Sequence, residues 1–345
     1  MTNALHTLEK PVLQAYLKQH IPEFGELLEI EKFPGGQSNP TYKLVTSDKT
    51  YVMRAKPPGN LLKSAHMVDR EYQVMTALAG SDVPVPKTYH LSEDSSPIGT
   101  MFFVMEYVEG RIFWDPSLPE CSNTERMAIF AEMNRVLAAL HDVSPNAVDL
   151  MHYGKPGNYF ERQTGRWIKQ YKASETTVIP AMNRLMEWLE ANMVEDDGTS
   201  SLVHGDYRLD NLIFHPTEPR IVAVLDWELS TLGHPLADLA YQCMQWRLPS
   251  FKGLRGLAGL DRVALGIPLE EEYVRQYCMR RGFSEIENWE FYLAFSMFRL
   301  AAILQGVVAR AEAGNASNPQ AAEMMRKAVP LIADMACEVV GELVE

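Results

Sequence analysis

The stretch Leu202 to Trp227, LVHGDYRLDNLIFHPTEPRIVAVLDW, constrains this chain more than any other. Two apolar runs, Leu212-Ile213-Phe214 and Ile221 to Leu225, flank a Pro-containing turn from His215 to Arg220. That pattern predicts a β-hairpin with a medium loop. Asp206 precedes the first strand, Asn211 opens it, and Asp226 follows the second. A hairpin brings its outer ends together, so Asn211 and Asp226 are expected close in space, with Asp206 in the loop beside them. Two carboxylates and an amide oxygen suit Mg²⁺, which takes its remaining ligands from water and phosphate. The plain alternative is a hairpin end capped by Asp and Asn, residues that favour turns anyway.

The spacing His204-x-Asp206, then four residues, then Asn211 matches the kinase catalytic loop H-x-D-x-x-x-x-N. Asp226 stands where the second metal-binding Asp of that loop stands. With LDWELSTLGHPLADLAY following, HGDYRLDN resembles the aminoglycoside phosphotransferase family within the protein-kinase-like superfamily. It is similar, more narrowly, to the phosphotransferase-like domains found alone in bacteria and fused to acyl-CoA dehydrogenases in animals. The similarity is clear from Glu31 to Tyr241. It implies an α+β, bilobal protein-kinase-like fold. Residues 1–109 are the expected N-lobe, a small antiparallel sheet with one paired helix. Residues 110–345 are the expected C-lobe, larger and mostly helical. ATP and Mg²⁺ are the implied cofactors, with Asp206 as the base and Asn211 and Asp226 as metal ligands.

The first third of the chain supplies the nucleotide-facing residues that this resemblance implies. Phe33-Pro34-Gly35-Gly36-Gln37-Ser38-Asn39-Pro40 precedes a strand and stands where the family has its nucleotide-covering loop. Glycines there let backbone amides approach phosphate oxygens, so Gly35, Gly36, Ser38 and Asn39 are candidate contacts. The loop departs from G-x-G-x-x-G, and by itself it reads equally as a turn. On the next strand, Thr50 to Lys56, Arg54 aligns with the lysine that holds the α and β phosphates. Arg is permanently charged and binds phosphate in a fork, whereas Lys is a mobile point charge. Lys56 shares the strand face of Arg54 and remains a second candidate. On the following helix, Ser64 to Ala79, Glu71 is the expected partner of Arg54. The strand Met101 to Gly110 stands where the family has its hinge, so Glu106, Tyr107 and Val108 are implied contacts for the adenine.

Further along, residues 1 to 28 and Asn123 to Asp142 carry helical apolar spacing, as do stretches around Phe160 to Tyr171 and Ala181 to Met193. His141 reads as a cation at a helix C-terminus. Only twelve steps separate Asp226 from Asp238, and Gly205 replaces the Arg that protein kinases carry. Both features favour a small-molecule hydroxyl acceptor over a peptide. Asp238 resembles a family residue that braces the catalytic loop, and His234 reads as a loop residue. Trp246 to Pro268 holds Arg247, Lys252, Arg255 and Arg262, a basic segment suited to an anionic acceptor or simply to solvent. The segment from Glu270 onward reads as helical.

Composition sets the outer limits. A net charge of −13 argues against a nucleic-acid partner. Cys121, Cys243, Cys278 and Cys337 lack CxxC spacing, which suits a reducing compartment. No basic region followed by an apolar core opens the chain, and no apolar run nears ~20 residues. A cytoplasmic protein with no membrane partner is the expectation. The expected activity is transfer of the γ-phosphoryl group of ATP to a small molecule, with a hydroxyacyl compound among the acceptors the resemblance implies. The alternative is a nucleotide-binding scaffold without catalysis, which the substituted strand cation and atypical glycine loop would suit.

Overall fold

The structure, a computed structural model, describes residues 8–34, 39–57, 67–95, 97–250, 254–314 and 319–341. It is α+β, with an antiparallel-sheet N-lobe and a helical C-lobe. The chain divides into two compact units. The first takes the residues up to Arg111 together with 148–150 and 211–230, and the second takes the rest.

In the first unit, α1 (Lys10–His20) is shorter than the helix expected over residues 1 to 28. It ends at Ile21, before Pro22, because the residue preceding a proline is pushed out of the helical region. Five strands follow: β1 (Leu27–Lys32), β2 (Thr41–Thr46), β3 (Thr50–Ala55), β4 (Thr88–Ser92) and β5 (Phe102–Glu106). They form one antiparallel sheet in the order β1-β2-β3-β5-β4. Side chains alternate across a sheet. Leu44, Tyr51, Met53 and Val104 therefore share one face, where they enclose a core with Leu13 and Leu17 of α1. Arg54 falls on the opposite face, paired in register with Phe103. The helix between β3 and β4, α2 (Val68–Leu78), covers that face, and its Tyr72 ring lies 6.1 Å from Phe103. It begins at Val68 rather than near Ser64; residues 64–66 lie outside the described residues.

In the second unit, α3 (Asn123–Asp142) spans the residues the sequence predicts, with the Ser122 hydroxyl accepting from the Glu125 N–H as an N-cap. Phe130, Met133, Leu137 and Leu140 are buried as expected, but Met127 is 55% exposed and lies off the core stripe. After α4 (Tyr159–Ser174) and α5 (Pro180–Ala191) comes a short strand, β6 (Ser201–Val203). The predicted hairpin then forms from β7 (Leu212–Phe214) and β8 (Ile221–Val224), with Leu212 opposite Val224. The hairpin belongs to the first unit. Arg111 and Phe214 exchange backbone hydrogen bonds of 2.8 and 2.9 Å, and the Val224 N–H donates to Pro84 at 2.8 Å. The chain returns to the second unit as β9 (Thr231–Gly233), antiparallel to β6.

Helices α6 (Leu236–Cys243), α7 (Arg262–Leu265), α8 (Glu270–Arg281), α9 (Trp289–Glu312) and α10 (Pro319–Val339) complete the second unit. By length and composition α9 could cross a membrane, a run the sequence reading did not register. Inside the protein 78% of its most apolar window is buried, which makes it the core helix of this unit. All four cysteines are buried and free.

Candidate active site

In the first unit one guanidinium gathers three carboxylates. Arg54 Nε donates to Glu71 Oε1 at 3.0 Å, and Nη2 donates to Asp226 Oδ1 at 2.5 Å. Glu228 Oε2 lies 3.9 Å from the same Nη2. Asn39 is fully buried, and its Nδ2 donates to Glu71 at 3.0 Å and to Glu228 at 3.4 Å. The strand delivers Arg54 and the helix delivers Glu71. Glu71 lies on the buried face of α2 with Val68, Val74, Met75 and Leu78. Burial raises the Glu71 carboxyl above the usual range, Asp226 and Glu228 push the same way, and Arg54 opposes them. Burial works to lower the Arg54 pKa, but the three carboxylates outweigh it and hold the guanidinium charged.

Asn211 and Asp226 meet at one end of the hairpin, as predicted. The Leu225 N–H donates to the Asn211 carbonyl at 2.9 Å, one residue before Asp226. Asp226 has φ +66° and ψ +58°, a left-handed conformation that Asp tolerates better than most residues. Among the described residues no group of three His, Cys, Asp or Glu side chains is arranged to hold a metal. With Oδ1 of Asp226 on Arg54, this hairpin end offers a second carboxylate oxygen and the Asn211 amide. Mg²⁺ accepts so few protein ligands when water and phosphate supply the others, so the donor set fits that ion.

Asp206 belongs to the second unit, on a loop tied down from several elements. Asp238, on α6, accepts from the His204 N–H at 2.6 Å and from the Gly205 N–H at 2.8 Å. Asp238 thus braces the loop, as its sequence position suggests. Arg299, on α9, donates to the Gly205 carbonyl at 2.6 Å. Gly205 has φ +83°, which explains a glycine where protein kinases carry Arg. The Asp206 N–H donates to His204 Nδ1 at 3.2 Å. The Asp206 carboxylate bonds to the Tyr241 hydroxyl and lies 3.5 Å from Arg208 Nε.

His141 is not the surface cation its place at a helix end suggests. It is buried, with Nδ1 2.6 Å from the Tyr277 hydroxyl and Nε2 3.3 Å from Asp238. Burial lowers its pKa, so it is neutral and serves as a hydrogen-bonding brace. His234 lies 3.6 Å from Asp197 and stacks on Tyr292, in keeping with a loop role.

Gly35, Gly36 and Ser38 lie outside the described residues. Lys56 pairs with Asp69 at 3.6 Å instead of joining the Arg54 network. Glu106 is exposed and accepts the Lys87 N–H at 3.2 Å; Tyr107 and Val108 are half-buried beyond the end of β5, with Lys43 over the Tyr107 ring. In the basic segment, Arg247 is held by both oxygens of Glu270, and Arg262 donates to the carbonyls of Trp246 and Leu257. Lys252 lies outside the described residues. Glu228, Tyr241 and Arg299 were missed in the sequence. Arg299 carried the one usable signal, a charge inside an otherwise apolar helix.

The profile of a family described as the phosphotransferase enzyme family matches residues 29–289. The chain belongs to this family. Among curated relatives of this phosphotransferase, acyl-CoA dehydrogenase family member 10 of Mus musculus is 52% identical over 295 residues, 85% of this chain and 28% of the relative. Acyl-CoA dehydrogenase family member 11 of Rattus norvegicus is 45% identical over 318 residues, 91% of this chain and 41% of the relative. The chain therefore spans well under half the length of these relatives. A crystal structure of a candidate aminoglycoside phosphotransferase from Ralstonia eutropha JMP134 superposes with a TM-score of 0.89 and 53% identity, covering 98% of this chain and 99% of that one. A thermostable mutant of APH(4)-Ia, in a ternary complex with ADP and hygromycin B, superposes with a TM-score of 0.62 over 95% of this chain and 99% of that one. At 15% identity that likeness shows the fold alone.

Proposed function

We propose that this phosphotransferase moves the γ-phosphoryl group of ATP to a hydroxyl of a small molecule, with a hydroxyacyl compound as the leading acceptor class. The observation that carries the reading is the 3.0 Å pair between Arg54 and the buried Glu71, with Arg54 also bound to Asp226 at the hairpin end. In this reading Arg54, steadied by Glu71, positions the phosphates. Asn211 and Asp226 are the ligands for Mg²⁺, which when bound supplies charge neutralisation at the β and γ phosphates. Asp206 accepts or orients the acceptor proton, and its orientation is kept by Tyr241 and by the loop contacts of Asp238 and Arg299. Such transfer depends mainly on positioning and electrostatics rather than on covalent chemistry by the protein. The ADP and hygromycin B in the APH(4)-Ia complex, and the relatives named as acyl-CoA dehydrogenase family members, support nucleotide use and an acyl-type acceptor respectively.

ADP release from Mg-ATP, screened against hydroxylated metabolites, tests the reading. Asp206→Asn should cut kcat by at least ~10²-fold, the scale of general-base loss, with the Mg-ATP thermal shift preserved. Full activity in that variant removes Asp206 as the base. A Mg-ATP thermal shift in wild type, with no turnover across the screen, would favour a nucleotide-binding scaffold.

A further inference from the structure

The basic segment has one cation that the protein does not neutralise internally. Arg247 and Arg262 are spent on Glu270 and on backbone carbonyls. Arg255 has no carboxylate within ion-pair distance among the described residues. Its Nη1 donates to the Trp114 carbonyl at 2.9 Å, and its guanidinium lies 5.3 Å over the Trp114 ring. Trp114 is 59% exposed, unusual for the largest side chain.

This pair is close to the loop that carries Asp206. Burial raises the Asp210 carboxyl, and the charges of Arg208 and Arg255 both pull it back. Arg208 Nη2 donates to Asp210 at 2.7 Å, while its Nε lies 3.5 Å from Asp206. A continuous chain of charged groups thus runs from the candidate base to an exposed Arg stacked on an exposed indole. Stacking fixes the plane of a guanidinium while leaving its outer N–H groups to bind an oxyanion in a fork. In a chain of net charge −13, such a cation is placed against the overall field.

We propose that Arg255 and Trp114 form a docking shelf for an oxyanion, carboxylate or phosphate, carried by the hydroxylated acceptor. The proposal rests on the phosphotransferase reading for the identity of its ligand as an acceptor, but the shelf is tested by binding alone. It assigns the acceptor a net negative group at a distance from the reacting hydroxyl, and it makes Arg255 and Trp114 specificity-determining residues.

The test uses the full chain without nucleotide, titrated by saturation-transfer NMR with three probes: 3-hydroxybutyrate, its neutral methyl ester, and glycerol 3-phosphate. At least one anionic probe should bind about tenfold or more tightly than the ester, the scale of a charge-assisted fork. Preference for the carboxylate or for the phosphate identifies the source of the oxyanion. Arg255→Glu should abolish the preference for anions, Arg255→Lys should keep part of it, and Trp114→Ala should weaken it with the fold intact by circular dichroism. Anions that bind no better than the ester overturn the shelf, as does a preference that survives in Arg255→Glu. Loss of ATP turnover in every screen would count against the phosphotransferase reading and leave the binding result standing.

Discussion

Arg54 Nη2 and Asp226 Oδ1 lie 2.5 Å apart across 172 residues of chain. The cation proposed for phosphate and the carboxylate proposed for metal therefore neutralise each other directly. Glu71 holds the other side of the same guanidinium at 3.0 Å.

The first prediction concerns that network. Arg54→Met leaves three clustered carboxylates without their cation, and loss of one partner from a buried pair costs about 3–5 kcal/mol. Its urea midpoint should drop sharply, and the Mg-ATP thermal shift should vanish. Glu71→Gln should cost less, because Asp226 and Glu228 still face the guanidinium. It should mainly raise the KM for ATP. Equal midpoints for Arg54→Met and wild type would contradict the arrangement.

Acid should destabilise the second unit through His141. Its folded-state pKa is lowered by burial, so the unfolded chain binds the proton first as pH falls below about 6.5. Stability is then lost at up to about 1.4 kcal/mol per pH unit for that proton. For Asp238, burial works to raise the pKa, but His141 and His204 outweigh it and hold the carboxyl below its ordinary range. Its contribution is present above the unfolded value of about 3.9 and is lost only at lower pH. Denaturation of His141→Asn at pH 7.5, 6.5 and 5.5 should show lower stability at pH 7.5 and an acid slope one proton smaller than wild type. An unchanged slope would mean that His141 is not the group taking up the proton.

Gly205 should resist substitution. At φ +83° an alanine is strained by about 1–3 kcal/mol. Because Asp206 is the next residue, the strain should also appear as a kcat reduced by about 10²-fold, the scale of a 1 Å misplacement. The KM for ATP should hold. A Gly205→Ala enzyme with wild-type kcat would show that the loop tolerates another path.

Gly110 makes the closest backbone approach of the first unit to its hairpin. A Cβ there would meet the Phe214 carbonyl oxygen and the Ile213 side chain. Gly110→Ala should therefore cost about 1–3 kcal/mol of overpacking, measurable by urea denaturation, whereas Gly165→Ala, with open space around its Cβ position, should not.

What could be read from the sequence was what depends on neighbours along the chain. The hairpin from Leu212 to Val224 followed from two apolar runs and a turn, and α3 from its apolar repeat and its Ser122 cap. The Arg54–Glu71 pair was reachable because resemblance supplied the register of strand and helix. His141 was misread because its burial comes from Tyr277, 136 residues away, and no local pattern reports that contact. Arg247 looked available in sequence and is taken by Glu270 at the start of α8. Glu228 and Tyr241 carry no periodic signal, and their roles arise only when Asn39 and Asp206 come to them through space. Met127 fits the helical repeat, yet nothing packs over that turn of α3.

The hairpin of residues 211–230 is made late but folds with the sheet that was made early. No single cut can then release either half as a complete piece: a fragment ending near Arg111 would lack the strands that hydrogen bond to Arg111 and Pro84. During synthesis the sheet must wait for about a hundred further residues before its last strands arrive. In the longer relatives, the whole stretch has to be inherited and transplanted as one block.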